Sequence, residues 1–334
     1  MAEAKKVRVY KYKNIAAALA AVLLICVALS THGNVTSASD KTVKNDTSSS
    51  VADKRSDKKN DSTADKSVKK LTGNYKYDEL KNGTALNSGR LLLVDSDHPF
   101  TGEASDQDGV YGYLFDTAQN QIMYASSTLI NGDRQTLESF NKLGVDFSSS
   151  TGLKTLMVSQ LIPQSDDDSS KYDEAYTGTC IDLMIYDTAA GTFSNFNTEG
   201  DYSWIKDNCS KYGFIMRSGS RLRYVGKPYA EYMKNNDLSF EDFLEKVKDY
   251  SFESPLFFTA DDETNYAVYY TKAALESTTS KVPVPLRDDN TEYHYDISGN
   301  NYDGYVVSVD LSDETPVNNT QAADQTESSQ QETA

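Results

Sequence analysis

Histidine is scarce in this chain. There are three, His32, His98 and His294, and none lies at metal-ligand spacing from another. With so few, neither a Ser/His/Asp nor a Cys/His nucleophile set can be assembled. Cysteine is equally sparse, and Cys26 follows Leu23-Leu24-Ile25. A lipid-attachment box needs a small residue just before the cysteine, so lipidation is not expected. Positive charge is also short, 33 Lys and Arg against 50 Asp and Glu, a net of −17. Residues 1–72 hold 14 basic and 7 acidic side chains, a net of +7, which leaves −24 on the remainder. A field of that sign repels phosphates, so nucleic acid is excluded as a partner, and cations or basic partners are favoured.

The basic charge is concentrated at the front. Lys5, Lys6, Arg8, Lys11 and Lys13 precede an uncharged apolar run, Ile15 to Leu29. A basic flank followed by such a run predicts a cytoplasmic segment over 1–14 and a transmembrane signal anchor over 15–30, favoured over cleavage by the mediocre site Ala28-Leu29-Ser30. The rest of the chain is then extracytoplasmic, in a single-pass protein of the cell membrane. Residues 31–72 are Ser, Thr, Asp, Lys and Asn with almost no large apolar side chain, and 312–334 are Gln, Thr, Ser and acid rich. Neither segment can offset the entropy of ordering, which predicts a disordered stalk and a disordered acidic tail.

Between them, helix and strand signals alternate. Arg90–Val94, Thr155–Val158 and Cys180–Ile185 read as buried strands. Helices are expected over Arg134–Leu143, Asp201–Tyr212, Tyr229–Asn235 and Phe240–Tyr250, the last opened by a capping-box-like Ser239 with Asp242. Strands follow over Tyr266–Tyr270, Lys281–Pro285, Glu292–Ile297 and Tyr305–Val309. The pattern predicts an α+β fold: a core domain over 73–250 and a small C-terminal β appendage over 251–311.

Three strings carry a resemblance: Tyr176-Thr-Gly-Thr-Cys-Ile-Asp-Leu183, Trp204-Ile-Lys-Asp-Asn-Cys-Ser-Lys-Tyr-Gly-Phe-Ile-Met-Arg217 and Arg221-Leu-Arg-Tyr-Val-Gly-Lys227. In order and wording they resemble the VanY-like D-alanyl-D-alanine carboxypeptidases over roughly residues 90 to 250. The resemblance implies a zinc site made of a His, an Asp seven residues later and a second His, with a catalytic Glu three residues before that second His. The Asp is present as Asp182, whereas the two His positions hold Ala175 and Arg221 and the Glu position holds Ser218. The substrate-gripping Arg expected after the strand ending at Val158 is missing from Ser159-Gln-Leu-Ile162. Both rim segments are short: 13 residues separate Ser159 from Asp173, and Ser218-Gly-Ser220 alone separates Arg217 from Arg221.

These departures predict a relic cleft of Ser159, Asp182 and Arg221 in which Arg221 pairs with Asp182. Charges of +1 and +2 about 4 Å apart at an effective dielectric near 20 repel by roughly 8 kcal/mol, so no zinc cofactor is expected beside Arg221. Asp173, Glu174, Asp182 and Asp187 are a weak candidate for a Ca²⁺ site, and a solvated acidic surface is the commoner outcome. Cys180 and Cys209 are a possible disulfide in an oxidising compartment, with two separate buried thiols as the alternative. Three functions stay open: a pseudoenzyme binding a peptidoglycan peptide or an envelope protein, an active zinc DD-carboxypeptidase, and a structural surface protein using the fold as a scaffold.

Overall fold

A computed structural model describes residues 71, 73–104, 106–161 and 171–312. The expected flank, anchor, stalk and acidic tail lie outside the described residues, apart from the ends of the stalk and tail. Among the described residues no helix is long and apolar enough to cross a membrane.

The strands are β1 (Tyr75–Lys81), β2 (Gln107–Gly109), β3 (Tyr124–Ala125), β4 (Asn131–Asp133), β5 (Leu156–Gln160), β6 (Cys180–Asp187), β7 (Thr192–Asn195), β8 (Phe214–Met216), β9 (Arg221–Tyr224), β10 (Leu256–Thr259), β11 (Asn265–Lys272), β12 (Thr279–Pro285), β13 (His294–Gly299) and β14 (Gly304–Asp310). The principal helices are α1 (Arg134–Thr151), α2 (Ser203–Asn208), α3 (Lys227–Asn235) and α4 (Phe240–Lys246). The fold is α+β.

The sheet that positions the site runs β3-β5-β6-β9-β8, with β7 also paired to β6. One face is the core. Ile181 and Leu183 of β6, Leu156 and Val158 of β5 and Leu222 of β9 pack against Leu137, Phe140, Leu143 and Phe147, the three-to-four-residue apolar stripe of α1. Asp133 caps α1, its side chain accepting from the Thr136 backbone N–H, and Gly152 ends it in the left-handed region at φ 75°. Side chains alternate along a strand, so Cys180, Asp182, Met184 and Tyr186 project from the opposite face.

The C-terminal strands form a second sheet, β10-β11-β14-β13, and β12 pairs with β1 from the front of the described chain. Leu256, Val268 and Val306 of this sheet share one apolar cluster with Tyr229, Met233, Phe240, Phe243 and Leu91. The β part is therefore built against α3 and α4.

Several local expectations need correction. Arg90–Val94 is not a strand. Leu91 and Leu92 are buried, but Leu91 N–H donates to the Ser298 side chain of β13 and Leu93 N–H to the Asn300 carbonyl just beyond it, so these contacts satisfy the backbone in place of a ladder. Asp201–Tyr212 is not one helix either: a 3₁₀ turn precedes α2 and another, Cys209–Tyr212, follows it.

Candidate functional site

The site lies on the open face of the first sheet, where β6 changes partner. β9 pairs with Cys180, Ile181 and Asp182, and β7 takes over at Met184. On β5 the register slips between Val158 and Gln160, a bulge that lets Ser159 Oγ donate to Asp182 O at 3.0 Å. Ser159, Asp182 and Arg221 come together with Glu174, Met184, Asn195, Arg217, Ser218 and Ser220 around an open cleft of about 450 Å³.

Asp182 and Arg221 face each other across the β6–β9 ladder. Arg221 Nε donates to Asp182 Oδ1 at 2.7 Å and Nη2 to Oδ2 at 2.9 Å, while Nη1 reaches Asp173 Oδ1 at 2.8 Å. Both carboxylate oxygens of Asp182 are thus held by one planar guanidinium, the strongest geometry for this pair. Asp182 hydrogen bonding and, against it, burial set the Arg221 balance, with a net rise above the ordinary arginine value, so the cation is permanent.

A second network lies beside the first. Glu174, buried at the start of a 3₁₀ turn, accepts from Arg217 Nε at 3.0 Å and from Arg223 Nη1 at 2.8 Å. Arg217 also forks onto Glu241 of α4, at 2.7 and 3.2 Å. Burial opposes ionisation of Glu241, but the Arg217 contacts outweigh it and hold the carboxyl below its ordinary value. Arg223 is 1% exposed, lies with its Cζ 4.0 Å from the Phe240 ring centroid, and donates to Leu92 O. A buried charge is tolerated only when paired in this way, and the ring contact contributes about 1–2 kcal/mol.

The remaining residues singled out by sequence divide clearly. Ala175 is fully buried in the turn behind the cleft and offers no donor atom, whereas Ser218 is exposed on the β8–β9 turn. Asp187 caps its own turn, accepting from the Ala189 and Ala190 backbone N–H groups, so the four acids considered for Ca²⁺ do not converge. Zinc does not fit this donor set: the Asp182 oxygens are occupied by a fixed cation, and no group of three or more His, Cys, Asp or Glu that could hold a metal occurs among the described residues.

The possible Cys180–Cys209 disulfide is not formed; both are free, buried thiols. Strand alternation explains it. Cys180 points to the Asp182 face, while Cys209 packs in the cluster with Ile181 and Leu183 on the other face of the sheet. Burial and then the Glu174 charge push the Cys180 thiol up to about 12, and burial pushes Cys209 up to about 11, so neither is reactive.

Sequence reasoning missed Glu174, Arg217, Arg223 and Glu241 as one network. The alternation Arg221-Leu-Arg223, two arginines on one strand face, was the available signal.

No family model matches the chain. It is 24% identical over 241 residues to a D-alanyl-D-alanine carboxypeptidase of Enterococcus faecium, covering 66% of this chain and 75% of that protein. It is 34% identical over 88 residues to the putative carboxypeptidase YodJ of Bacillus subtilis (strain 168), 22% of this chain and 32% of that protein. Its fold matches the vancomycin resistance D,D-dipeptidase VanXYg, solved with a D-Ala-D-Ala phosphinate analog, at TM-score 0.54 and 19% identity, over 71% of this chain and all of that one. The resemblance to the VanY-like D-alanyl-D-alanine carboxypeptidases holds in sequence and in fold, and it points to the cell-wall peptide peptidases.

Proposed function

We propose that this VanY-like chain is a pseudoenzyme that binds a peptidoglycan peptide, or an envelope partner carrying similar chemistry, without hydrolysing it. One observation carries the reading: the Arg221 fork covers both oxygens of Asp182, the single zinc-ligand position the chain retains. Without a metal-held water there is nothing for a general base to deprotonate, and the base position is Ser218, which cannot act as one near neutral pH. What the cleft keeps is recognition chemistry, with guanidinium N–H groups, the hydroxyls of Ser218 and Ser220 and the Asn195 amide around a cavity of peptide size. The similarity to a carboxypeptidase named for D-alanyl-D-alanine supports a terminal D-Ala-D-Ala as the first ligand to try.

The purified chain is expected to contain no stoichiometric zinc, to release no D-Ala above the uncatalysed rate, and to bind D-Ala-D-Ala peptides and intact wall sacculi. Chelator-sensitive D-Ala release would falsify the pseudoenzyme reading in favour of a working zinc carboxypeptidase. Failure to bind either probe would leave the scaffold reading. The domain is further proposed to stand outside the cell membrane on the 15–30 anchor. Protease added to protoplasts is expected to digest it, and an intact domain in the soluble cytosolic fraction would overturn this placement.

A further inference from the structure

The partner change on β6 leaves a gap in the sheet. β9 ends its pairing at Asp182, the Ser220 carbonyl accepts from the Leu183 N–H, and β7 begins pairing at Met184 with Asn195. Leu183, Asn195, Phe196, Gly219 and Ser220 enclose a second cavity of about 390 Å³ in that gap, adjoining the charged cleft. β7 itself pairs only with β6 among the described residues, and all four of its residues are exposed. Its outer edge therefore offers main-chain N–H and C=O groups at every second residue. Short length is its one protection: Thr192–Asn195 contains no Pro, no Lys and no bulge. β7 runs toward the cleft, since Thr192 lies opposite Asp187 and Asn195 opposite Met184, two residues from Asp182.

We infer that the free edge of β7 takes an extended peptide as an added strand, running in the same direction as β7, with its C-terminal carboxylate delivered through the gap to the Arg221–Arg217 cleft. The inference rests on the proposed binding role of that cleft and specifies how its ligand lies. The occupant is a peptide because only another main chain matches donors and acceptors at a two-residue repeat. For its free carboxylate the cleft offers spare N–H donors, while Asp173, Asp182, Glu174 and Glu241 already offset the guanidinium charges. A guanidinium carries five N–H groups, and the named bonds use three of the five on Arg221 and three on Arg217. Asp187, opposite Thr192 at the head of the hairpin, favours a basic side chain in the strand, in keeping with the acidic chain as a whole. Phe193, on the same face as its cross-strand partner Tyr186, is exposed and is the aromatic side chain that a residue of the added strand would meet.

The test compares two probes on the full chain, the dipeptide D-Ala-D-Ala and the pentapeptide Thr-Val-Lys-D-Ala-D-Ala. The longer probe is expected to bind at least about tenfold more tightly, the gain from added main-chain hydrogen bonds. Binding should slow amide exchange at alternate residues of Thr192–Asn195. Proline removes one N–H, so Phe193→Pro and Ser194→Pro should differ. The variant losing the outward N–H keeps the fold and the dipeptide affinity but loses the tenfold gain, and the other loses stability through the β6 ladder. Gly219→Trp, whose new side chain has open space at its first carbon, should block the pentapeptide. Equal affinity for both probes, or a gain that survives both prolines, overturns the strand addition while leaving the cleft as a binding site. If neither probe binds, the cleft reading fails and the strand addition fails with it.

Discussion

At the scale of single residues, the sequence disclosed substitutions but not their partners. Asp182 and Arg221 could be paired on paper because a known spacing placed them together. Glu174 could not be assigned to Arg217 and Arg223, 43 and 49 residues away, because no local pattern records a carboxylate shared between a strand and the turn before it. Glu231 on α3 shows the opposite environment. Its side chain is buried, Oε2 accepts from the Asp261 N–H at 2.7 Å, and Lys227 approaches no closer than 3.7 Å. Burial first, then the neighbouring acids Asp261 and Asp262, raise its carboxyl above the ordinary 4.5 against the pull of Lys227 and the backbone bond. A raised acid binds its proton more tightly when folded, so its ionisation costs stability, beginning as pH rises past 4.5 and complete above the folded value. Glu231→Gln keeps an acceptor for Asp261. The variant is expected to gain stability over the parent between pH 4 and pH 7 in urea titrations, and an unchanged difference across that range would refute this account.

At the scale of elements, periodicity found the long buried strands β5, β6, β11, β12, β13 and β14 but not the other eight among the described residues, and it misjudged where helices stop. The apolar stripe of α1 was legible over Arg134–Leu143, but the helix runs on through Gly144 to Thr151. The reason lies in packing. A Cβ built on Gly144 would come within 2.3 Å of Met123 Sδ, and Met123 is fully buried, so the glycine admits a neighbouring segment. A glycine to alanine change inside an exposed helix gains about 1 kcal/mol. Here Gly144→Ala should reverse that sign and destabilise by roughly 1–3 kcal/mol, the cost of overpacking. Thermal unfolding of the variant checks it, and a raised Tm would show that Met123 moves aside freely. β7 was missed altogether, since a four-residue exposed strand has no buried face to leave an alternating pattern.

At the scale of the whole molecule, the change from helix to strand signals near residue 250 reads as a boundary between a core and an appendage. The described chain distributes its apolar clusters across that point: Val225, Tyr229 and Phe243 on one side pack with Leu256, Val268 and Val306 on the other. β1 likewise reaches across the sequence to β12, through the register Tyr75 with Pro285 to Lys81 with Thr279. A chain cut at 250 exposes that cluster and loses the partner of β1. It is expected to lack cooperative thermal unfolding, while a chain ending at 312 should unfold in a single transition; a folded, cooperative 73–250 fragment would reject this shared-core account.

The arginine–carboxylate lattice around Asp182 also bears on history, because it determines which single steps are open to the protein. Changing Arg221 to histidine strands Asp173 and Asp182 as unpaired acids, and changing Ala175 to histidine forces a ring into a fully buried turn while Arg221 still blocks the metal. Each step alone loses stability, by up to about 3–5 kcal/mol for a buried pair and less for one this exposed, before any zinc can repay it. On the pseudoenzyme reading proposed above, the lattice would act as a ratchet: single substitutions toward a zinc site meet a stability barrier that substitutions refining a binding cleft do not.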